Sequence, residues 1–429
     1  MLSIIGILVG LTLLIVLALK DWNVILVALI SSIVVIVFSG MPIFQTLNDV
    51  YLVGFGSWGS QIYLMLLSAS VLAKLMEDTG AAQSISNTIM KWAGEDNITK
   101  IFIGIWLVTS ILVYAGVNSW IIVYVLVPIV YPIFKKLDLP WHLALAIFVL
   151  GANCIANYLP GAVSVYNIMP TKYRGTTPLA GWKISLFSDT FSTALGFWYV
   201  FRQLKKARAN NEHFLKPTSL VISDTEIENV PGFGKAIAPL IVTLVTLNVF
   251  KLDVFFALSL GCITCIILMY KNMDNVVNSL SLGASSAMMP VVTTSAVVGF
   301  GKVVTAVPGF EIIADAIING IPGGAYASWC VSINLLAGVT GSASGGLGIA
   351  LESILPRFMG LGLNPEALHR LAALSTVGLD SLPHNVAVVT TLTIFGLSHK
   401  EAYKHFWWIT VVFTVLSCVP AVIAAMIFY

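Results

Sequence analysis

Long apolar stretches, separated by short polar or glycine-rich breaks, make up almost the whole chain. Leu2–Leu19 and residues 24–38, 237–250 and 255–270 are close to unbroken runs of Leu, Ile, Val, Phe and Ala. A helix that spans a bilayer needs about 20 mostly apolar residues. Strict apolar/polar alternation, the mark of a spanning β-barrel, is missing, and Gly and Pro are frequent. The pattern predicts an all-α polytopic membrane protein. One polar stretch interrupts it, residues 202–235, opening with Arg202, Lys205, Lys206 and Arg208 directly after an apolar run.

Composition sharpens this. Hydrophobic residues make up 58% of the 429 and charged residues 10%, with a mean hydropathy of +0.93. Soluble domains carry about 25% charge. A net charge of +2 gives no footprint for nucleic acid. The five cysteines, Cys154, Cys262, Cys265, Cys330 and Cys418, lie in apolar runs and read as small hydrophobes, so no metal site is expected. The first apolar run has no basic start, and a second follows closely, so it is expected to be a retained span.

The segments either side of the polar stretch match in order. "LKDWNVILVALISSIVVIV" from Leu19 pairs with "FKLDVFFALSLGCITCIIL" from Phe250, and "LAKLMEDTGAAQSISNTI" from Leu72 with "GFGKVVTAVPGFEIIADAI" from Gly299. "VYAGVNSW" from Val113 pairs with "LLAGVTGS" from Leu335, and "ANYLPGAVSV" from Ala156 with "LDSLPHNVAVV" from Leu379. The spacing is kept: Ala115 to Leu159 is 44 positions and Ala337 to Leu382 is 45. Each half then holds two spans, a third ending in an interfacial helix, a hairpin, a broken span and a final span. A hairpin enters and leaves on one side, so each half crosses five times and the second is inverted. Basic residues favour the cytoplasm, which puts the 201–235 linker inside and both termini outside. Inverted repeats place a transport site where discontinuous helices of the two halves meet.

Four breaks carry the candidate chemistry. "AGVNSW", with Asn118 and Ser119 at its tip, divides two apolar segments too short to span singly. Its partner "AGVTGSASGG" offers Thr340, Gly341, Ser342 and Ser344. "NYLPGA", residues 157–162, and "DSLPHN", residues 380–385, each set a proline in mid-span. Proline removes a helix hydrogen bond and clashes with the preceding turn, freeing amides and carbonyls. Freed amides at a helix N-terminus hold anions. Asn157, Gly161, Ser381 and Asn385 join the substrate-binding candidates. Asp380 is an ionisable group inside the membrane, which defaults to a functional role, and His384 suits proton carriage. No Arg or Lys stands at the four breaks, which favours a small monocarboxylate, although Lys302 or Arg370 could reach in. Glu77 and Asp78, at a span end before Gly80, read as solvated or capping residues, Glu352 as an acid within the second hairpin arm, and "HFWWI" near His405 as an interfacial aromatic belt.

"KLMEDTGAAQSIS", "TGSASGGLGIALE" and "GLDSLPHNVAVVTTLTIFGLSHKEAYK" resemble the gluconate permease family of proton symporters, part of the ion transporter superfamily, along most of the chain. "GLDSLPHN" followed by "GLSHKEAY" is most similar to its β-hydroxybutyrate and short-chain-acid branch, and "AGVNSW" departs from the acidic, Phe-containing tip associated with gluconate carriers. The resemblance implies an elevator: a scaffold (1–99 and 236–321) anchoring a homodimer, and a moving transport part (100–200 and 322–429). Hairpins would fall at about 101–136 and 325–358, and broken helices at about 141–169 and 365–397. It implies uptake of a short hydroxy-monocarboxylate, 3-hydroxybutyrate before gluconate or lactate, across a bacterial inner membrane. The coupling ion would be H⁺, with Na⁺ the alternative, and no cofactor is expected.

Other classes stay open at this point. A cation/proton antiporter or channel could share the architecture, though such antiporters usually need a buried acid pair or an acid–Lys pair and only Asp380 stands at the breaks. Asp380, Ser381 and His384 invite the thought of a hydrolase, but near-adjacent residues on one broken helix rarely line up as nucleophile, base and orienting acid. No enzyme is expected, and no Walker-type G-x-x-x-x-G-K-[ST] loop occurs.

Overall fold

The computed structural model describes residues 2–94, 97–114, 119–152, 157–162, 164–220, 222, 229–250, 252–273, 275–320 and 324–429. The N-terminal side holds α1 (Leu2–Leu19), α2 (Val24–Ser39), α3 (Ile43–Thr46), α4 (Leu52–Asp78), α5 (Ala81–Ala93), α6 (Ile98–Tyr114), α7 (Ser119–Lys136), α8 (His142–Ala152), α9 (Val165–Arg174) and α10 (Trp182–Ala209). The C-terminal side holds α11 (Phe233–Asn248), α12 (Val254–Met269), α13 (Val276–Ala306), α14 (Pro308–Gly320), α15 (Ala325–Thr340), α16 (Ala343–Ile349), α17 (Leu355–Gly360), α18 (Pro365–Ser375), α19 (Val386–Phe395), α20 (His399–Phe406) and α21 (Phe413–Phe428). Wider π turns at Leu47–Tyr51, Ala350–Ile354 and Trp407–Val412 join α3 to α4, α16 to α17 and α20 to α21. Five of these helical runs are long and apolar enough to cross a membrane, among the described residues. The protein is an all-helical integral membrane protein.

Local chemistry sets the helix ends. Asn23 and Asp253 stand one residue before α2 and α12, and each side chain accepts the amide two positions on, which satisfies a donor the helix cannot. Helix lengths recur on the two sides of the polar stretch. They are 13 and 13 residues for α5 and α14, 17 and 16 for α6 and α15, 11 and 11 for α8 and α18, and 10 and 10 for α9 and α19. Packing is reciprocal as well. α2 lies on α13 as α12 lies on α4, and α1 meets α14 as α11 meets α5.

The long helices α4 and α13 form the most extensive pairing. Small residues let them close: a Cβ on Gly283 would sit 2.7 Å from the Val71 Cα, and Ser70 donates to the Gly283 carbonyl at 2.7 Å. Close backbone approach through small residues is how helices associate without a hydrophobic drive. The linker is shorter than the polar run suggests, because α10 continues to Ala209 and carries Arg202, Lys205, Lys206 and Arg208 out of the apolar layer on a helix. Of the aromatic stretch at residues 405–409, only Trp407 and Trp408 are exposed, while His405, Phe406 and Ile409 are buried.

Candidate functional site

Between α18 and α19 the backbone leaves the helix for ten residues, with one 3₁₀ turn at Leu379–Ser381. Pro383 cannot donate, and the buried backbone here needs partners. Side chains supply them. His399 Nε2 donates to the Pro383 carbonyl at 2.9 Å, the Tyr403 hydroxyl to the Ser381 carbonyl at 3.1 Å, and the Leu379 amide donates to Asn334 Oδ1 at 3.3 Å. Asn385 caps α19 by accepting from the amides of Ala387 and Val388.

A tight turn between α15 and α16 packs against this break. Gly341 has φ +61°, and Ser342 Oγ accepts the Gly345 amide at 3.2 Å to start the next helix. Thr340 Oγ1 is turned back onto the Leu336 carbonyl at 2.8 Å. Asn385 Nδ2 donates to the Gly341 carbonyl and His384 Nε2 to the Gly338 carbonyl, both at 3.1 Å. A carbonyl only accepts, so His384 carries its proton on Nε2. Its Nδ1 is then a lone-pair acceptor, buried and without a partner among the described residues. Asp380 is buried, accepts from its neighbour Ser381 Oγ at 2.9 Å, and lies within electrostatic reach of the Tyr166 and Tyr403 phenols. Phe300 of α13 meets the His384 ring edge to face at 6.4 Å between centroids.

The sequence candidates therefore sort into two groups. Asp380, Ser381, His384, Asn385, Thr340, Gly341 and Ser342 come together at the α15–α16 turn and the second break, with Ser344 exposed on the first turn of α16. Asn157 and Gly161 belong to the break between α8 and α9. There Asn157 Nδ2 donates to the Ala152 carbonyl at 2.9 Å, and Ser164 Oγ donates to the Asn157 carbonyl. Gly161 has φ +83°, and its amide donates to the Pro178 carbonyl at 2.9 Å. The same carbonyl takes Asn167 Nδ2 at 3.0 Å. Ser119 opens α7, half-buried. Asn118 and the side chain of Glu352 lie outside the described residues.

Other residues that shape this region do not stand out in the sequence. Arg370 is fully buried, and its guanidinium donates to the carbonyls of Tyr158, Pro178 and Ala180 at 2.5, 2.7 and 2.9 Å and to Asn167 Oδ1 at 3.0 Å. It holds the first break together and is not turned toward the α15–α16 turn. His369 beside it bridges Thr176 and Asn167. Asp189 of α10 is a second buried acid: Ser188 Oγ donates to its Oδ1 at 3.0 Å. An acid inside the last apolar run of the first half is the signal for it. Glu77 and Asp78 pair with Lys74 at 3.1 and 2.9 Å. Among the described residues no group of three or more His, Cys, Asp or Glu side chains could hold a metal.

A crevice of about 740 Å³ opens beside the second break. Its walls come from α4, α13, α7 and α19, including Lys74, Thr293, Tyr124 and Val389, and the linker residues Ser219 and Leu220 close one side.

Residues 2–249 match the family model described as GntP family permease. The uncharacterized transporter YxjC of Bacillus subtilis (strain 168) is 27% identical, with 97% of each chain covered. An uncharacterized transporter of Haemophilus influenzae is 24% identical over 80% of this chain and 79% of its own.

Proposed function

Because the chain belongs to the GntP permease family, we propose that this membrane transporter is a proton-coupled symporter for a short hydroxy-monocarboxylate, 3-hydroxybutyrate before gluconate or lactate. The observation that carries the reading is the second break. It offers a buried acid with no cation paired to it among the described residues, and an imidazole pinned at Nε2 with Nδ1 left as an open acceptor. Beside them the α15–α16 turn presents amides and the hydroxyls of Ser342 and Ser344. The carboxylate would rest on the amides of the two tips with Ser119, Ser342 and Ser344 donating. Asn118 and Asn385 would meet the substrate hydroxyl, with Asn157, Gly161, Thr340, Gly341 and Ser381 shaping the pocket. Asp380 or His384 would carry the proton.

The recurring helix lengths and reciprocal packing support two inverted repeats. In this reading α6 with α7, and α15 with α16 and α17, are the re-entrant hairpins, while α4 and α13 form the core of a scaffold. Movement of the remaining helices against that scaffold as an elevator, in a homodimer of the bacterial inner membrane, completes the proposal. The linker face would be cytoplasmic, so the crevice would be the exit toward the cytoplasm.

The test is uptake of labelled 3-hydroxybutyrate and gluconate into proteoliposomes, under an imposed proton gradient and separately under a sodium gradient. Accumulation of 3-hydroxybutyrate driven by protons is expected. Failure of both acids to accumulate under a proton gradient would sink the reading, and accumulation under sodium alone would replace its coupling ion. Asp380→Asn should abolish proton-driven accumulation while the protein stays folded.

A further inference from the structure

Away from the substrate site, α6 and α10 leave a groove on the outside of the protein. The two helices run in opposite senses. The rings of Phe102 and Phe201 stack with centroids 6.3 Å apart, and Trp106 meets Phe197 edge to face at 5.0 Å. Behind both helices lies α8, which Gly151 brings against Thr109 of α6 and Leu150 against Gly196 of α10. Trp106, Phe197 and Phe201 are half-buried and form an aromatic floor. Ile103, Leu107 and Ile111 stand exposed beside it, on one face of α6. In an integral membrane protein such a strip faces acyl chains.

At its polar end the groove opens into a recess of about 500 Å³, lined by Gly94, Asn97, Thr99, Lys100, Leu204 and Arg208. Lys100 heads the exposed strip of α6, three residues before Ile103. Arg208 continues the line of Phe197, Phe201 and Leu204 along α10, at steps of three or four residues. Both cations are exposed, and neither makes an ion pair with a described residue. Asn97 Oδ1 accepts the Lys100 amide at 3.0 Å, which turns its oxygen to the helix and leaves its NH₂ end as the donor.

No acid lines the recess among the described residues. The described acids nearby are already engaged: Glu212 by His142 and Asn210, and Asp138 by His213 and the Phe214 amide. Glu95 and Asp96, which precede Asn97, lie outside the described residues.

The depth of the recess is set by Trp92. Its indole is exposed and reaches Gly104 of α6, where a Cβ would meet it at 3.9 Å. Tryptophan favours the boundary between hydrocarbon and headgroups. Lys100 is four residues beyond Gly104, about 6 Å at 1.5 Å per residue. The headgroup layer adds about 5–7 Å on each side of the hydrocarbon, so Lys100 stands at the level of lipid phosphates. On α10 the Arg202 guanidinium covers the exposed Trp198 ring at 5.2 Å, a second aromatic anchor below the charged end.

We propose that the groove between α6 and α10 holds one anionic phospholipid, its phosphate between Lys100 and Arg208 and its acyl chains along the aromatic floor. Arg208 offers a planar fork to the phosphate oxygens and Lys100 a point charge. A zwitterionic headgroup would set its ammonium against the same two cations, with no described carboxylate to receive it. The apolar floor and strip below the recess favour a lipid over a free phosphate, which would leave them unused. The site requires only that the chain spans a bilayer and does not rest on the transport reaction proposed above.

The test is native mass spectrometry of the full-length protein, delipidated in a neutral detergent and titrated with phosphatidylglycerol or phosphatidylethanolamine of equal chain length. The first phosphatidylglycerol should bind about tenfold or more tighter than phosphatidylethanolamine, since each basic residue near the surface is worth about fivefold for an anionic lipid. Lys100→Gln and Arg208→Gln should each weaken phosphatidylglycerol by about fivefold, and the double variant should lose the preference. Lys271→Gln removes an exposed charge beside α12 and should keep it. Inorganic phosphate at millimolar concentration should leave the lipid bound. Equal binding of the two lipids, unchanged affinity in either single variant, or an equal loss in Lys271→Gln overturns the proposal. Displacement of the lipid by inorganic phosphate also overturns it, by making the recess a free-phosphate site. The single variants decide the matter even if the double variant does not fold. No transported acid enters these measurements, so their outcome and that of the uptake assay are independent.

Discussion

The imidazole of His384 donates through Nε2 to the Gly338 carbonyl at 3.1 Å, joining residues 46 positions apart. That bond fixes the ring and leaves Nδ1 as its only acceptor. His384→Gln separates the two roles, because the glutamine amide can keep the donor while the ring base is lost. The expected result is a folded protein in the membrane whose proton-driven accumulation falls by about 100-fold, the low end of what a positioned proton carrier contributes. His384→Ala should in addition destabilise by about 0.5–1.5 kcal/mol, the net worth of the hydrogen bond lost, since the Gly338 carbonyl still accepts the Gly341 amide at 3.4 Å. Accumulation by His384→Gln at the wild-type rate would remove Nδ1 from the mechanism and leave the proton to Asp380.

Gly341 sits under the same ring. At φ +61° any L side chain is strained, and a Cβ there would lie 2.6 Å from His384 Cδ2. Gly341→Ala should therefore cost about 1–2 kcal/mol in backbone strain alone and push the imidazole off the Gly338 carbonyl. Uptake should drop at least as far as in His384→Gln. Gly348→Ala is the comparator, since its Cβ would meet only Met169 Cε at 3.6 Å, an ordinary contact. Equal uptake by the two variants would show that the ring does not need its place.

The breaks are legible in the sequence because their cause is local. Pro383, and the glycine and hydroxyl residues around Gly341, weaken a helix locally; Pro128, Pro170 and Pro290 stay inside helices, so it is the polar residues clustered beside Pro383 that mark the break. Asp380 stands out for a similar reason, as a charge with no place in an apolar run. Arg370 is not legible as a clamp, because its partners are mainly backbone carbonyls between Tyr158 and Ala180, about 200 positions earlier. Backbone oxygens leave no mark in a sequence. The linker misleads in another way. Its composition reads as solvated, yet Glu212, Phe214 and Ser219 each dock through specific contacts, and single contacts do not change a composition.

Arg370 is expected to matter for folding more than for chemistry. Arg370→Lys keeps the charge but offers a point donor in place of a planar fork, so Tyr158, Pro178 and Ala180 cannot all be served. Destabilisation of about 3 kcal/mol is expected, in line with unsatisfied buried groups near a charge. It would be read as a lower melting temperature in detergent. Arg370→Met removes the cation within electrostatic reach of Asp189, so Asp189→Asn should recover part of that loss. If the two substitutions simply add, the buried acid and the guanidinium are independent.

Asp138 gives a pH dependence with a definite sign. Hydrogen bonds from His213 and from the Phe214 amide hold its carboxyl below the usual carboxylate range. A folded-state value below the unfolded one means the anchor is complete above the ordinary carboxylate range, near about 4. It is lost as pH falls through the lowered value. Asp138→Asn removes the charge at every pH. Exchange of the Phe214 amide should therefore be faster in Asp138→Asn than in the wild type at about pH 5–7, above the carboxylate range. The two should converge as the solution is taken below that range. A difference that persists undiminished in strong acid would mean that the Asn side chain disturbs the turn sterically, and that the carboxylate charge does not hold the linker.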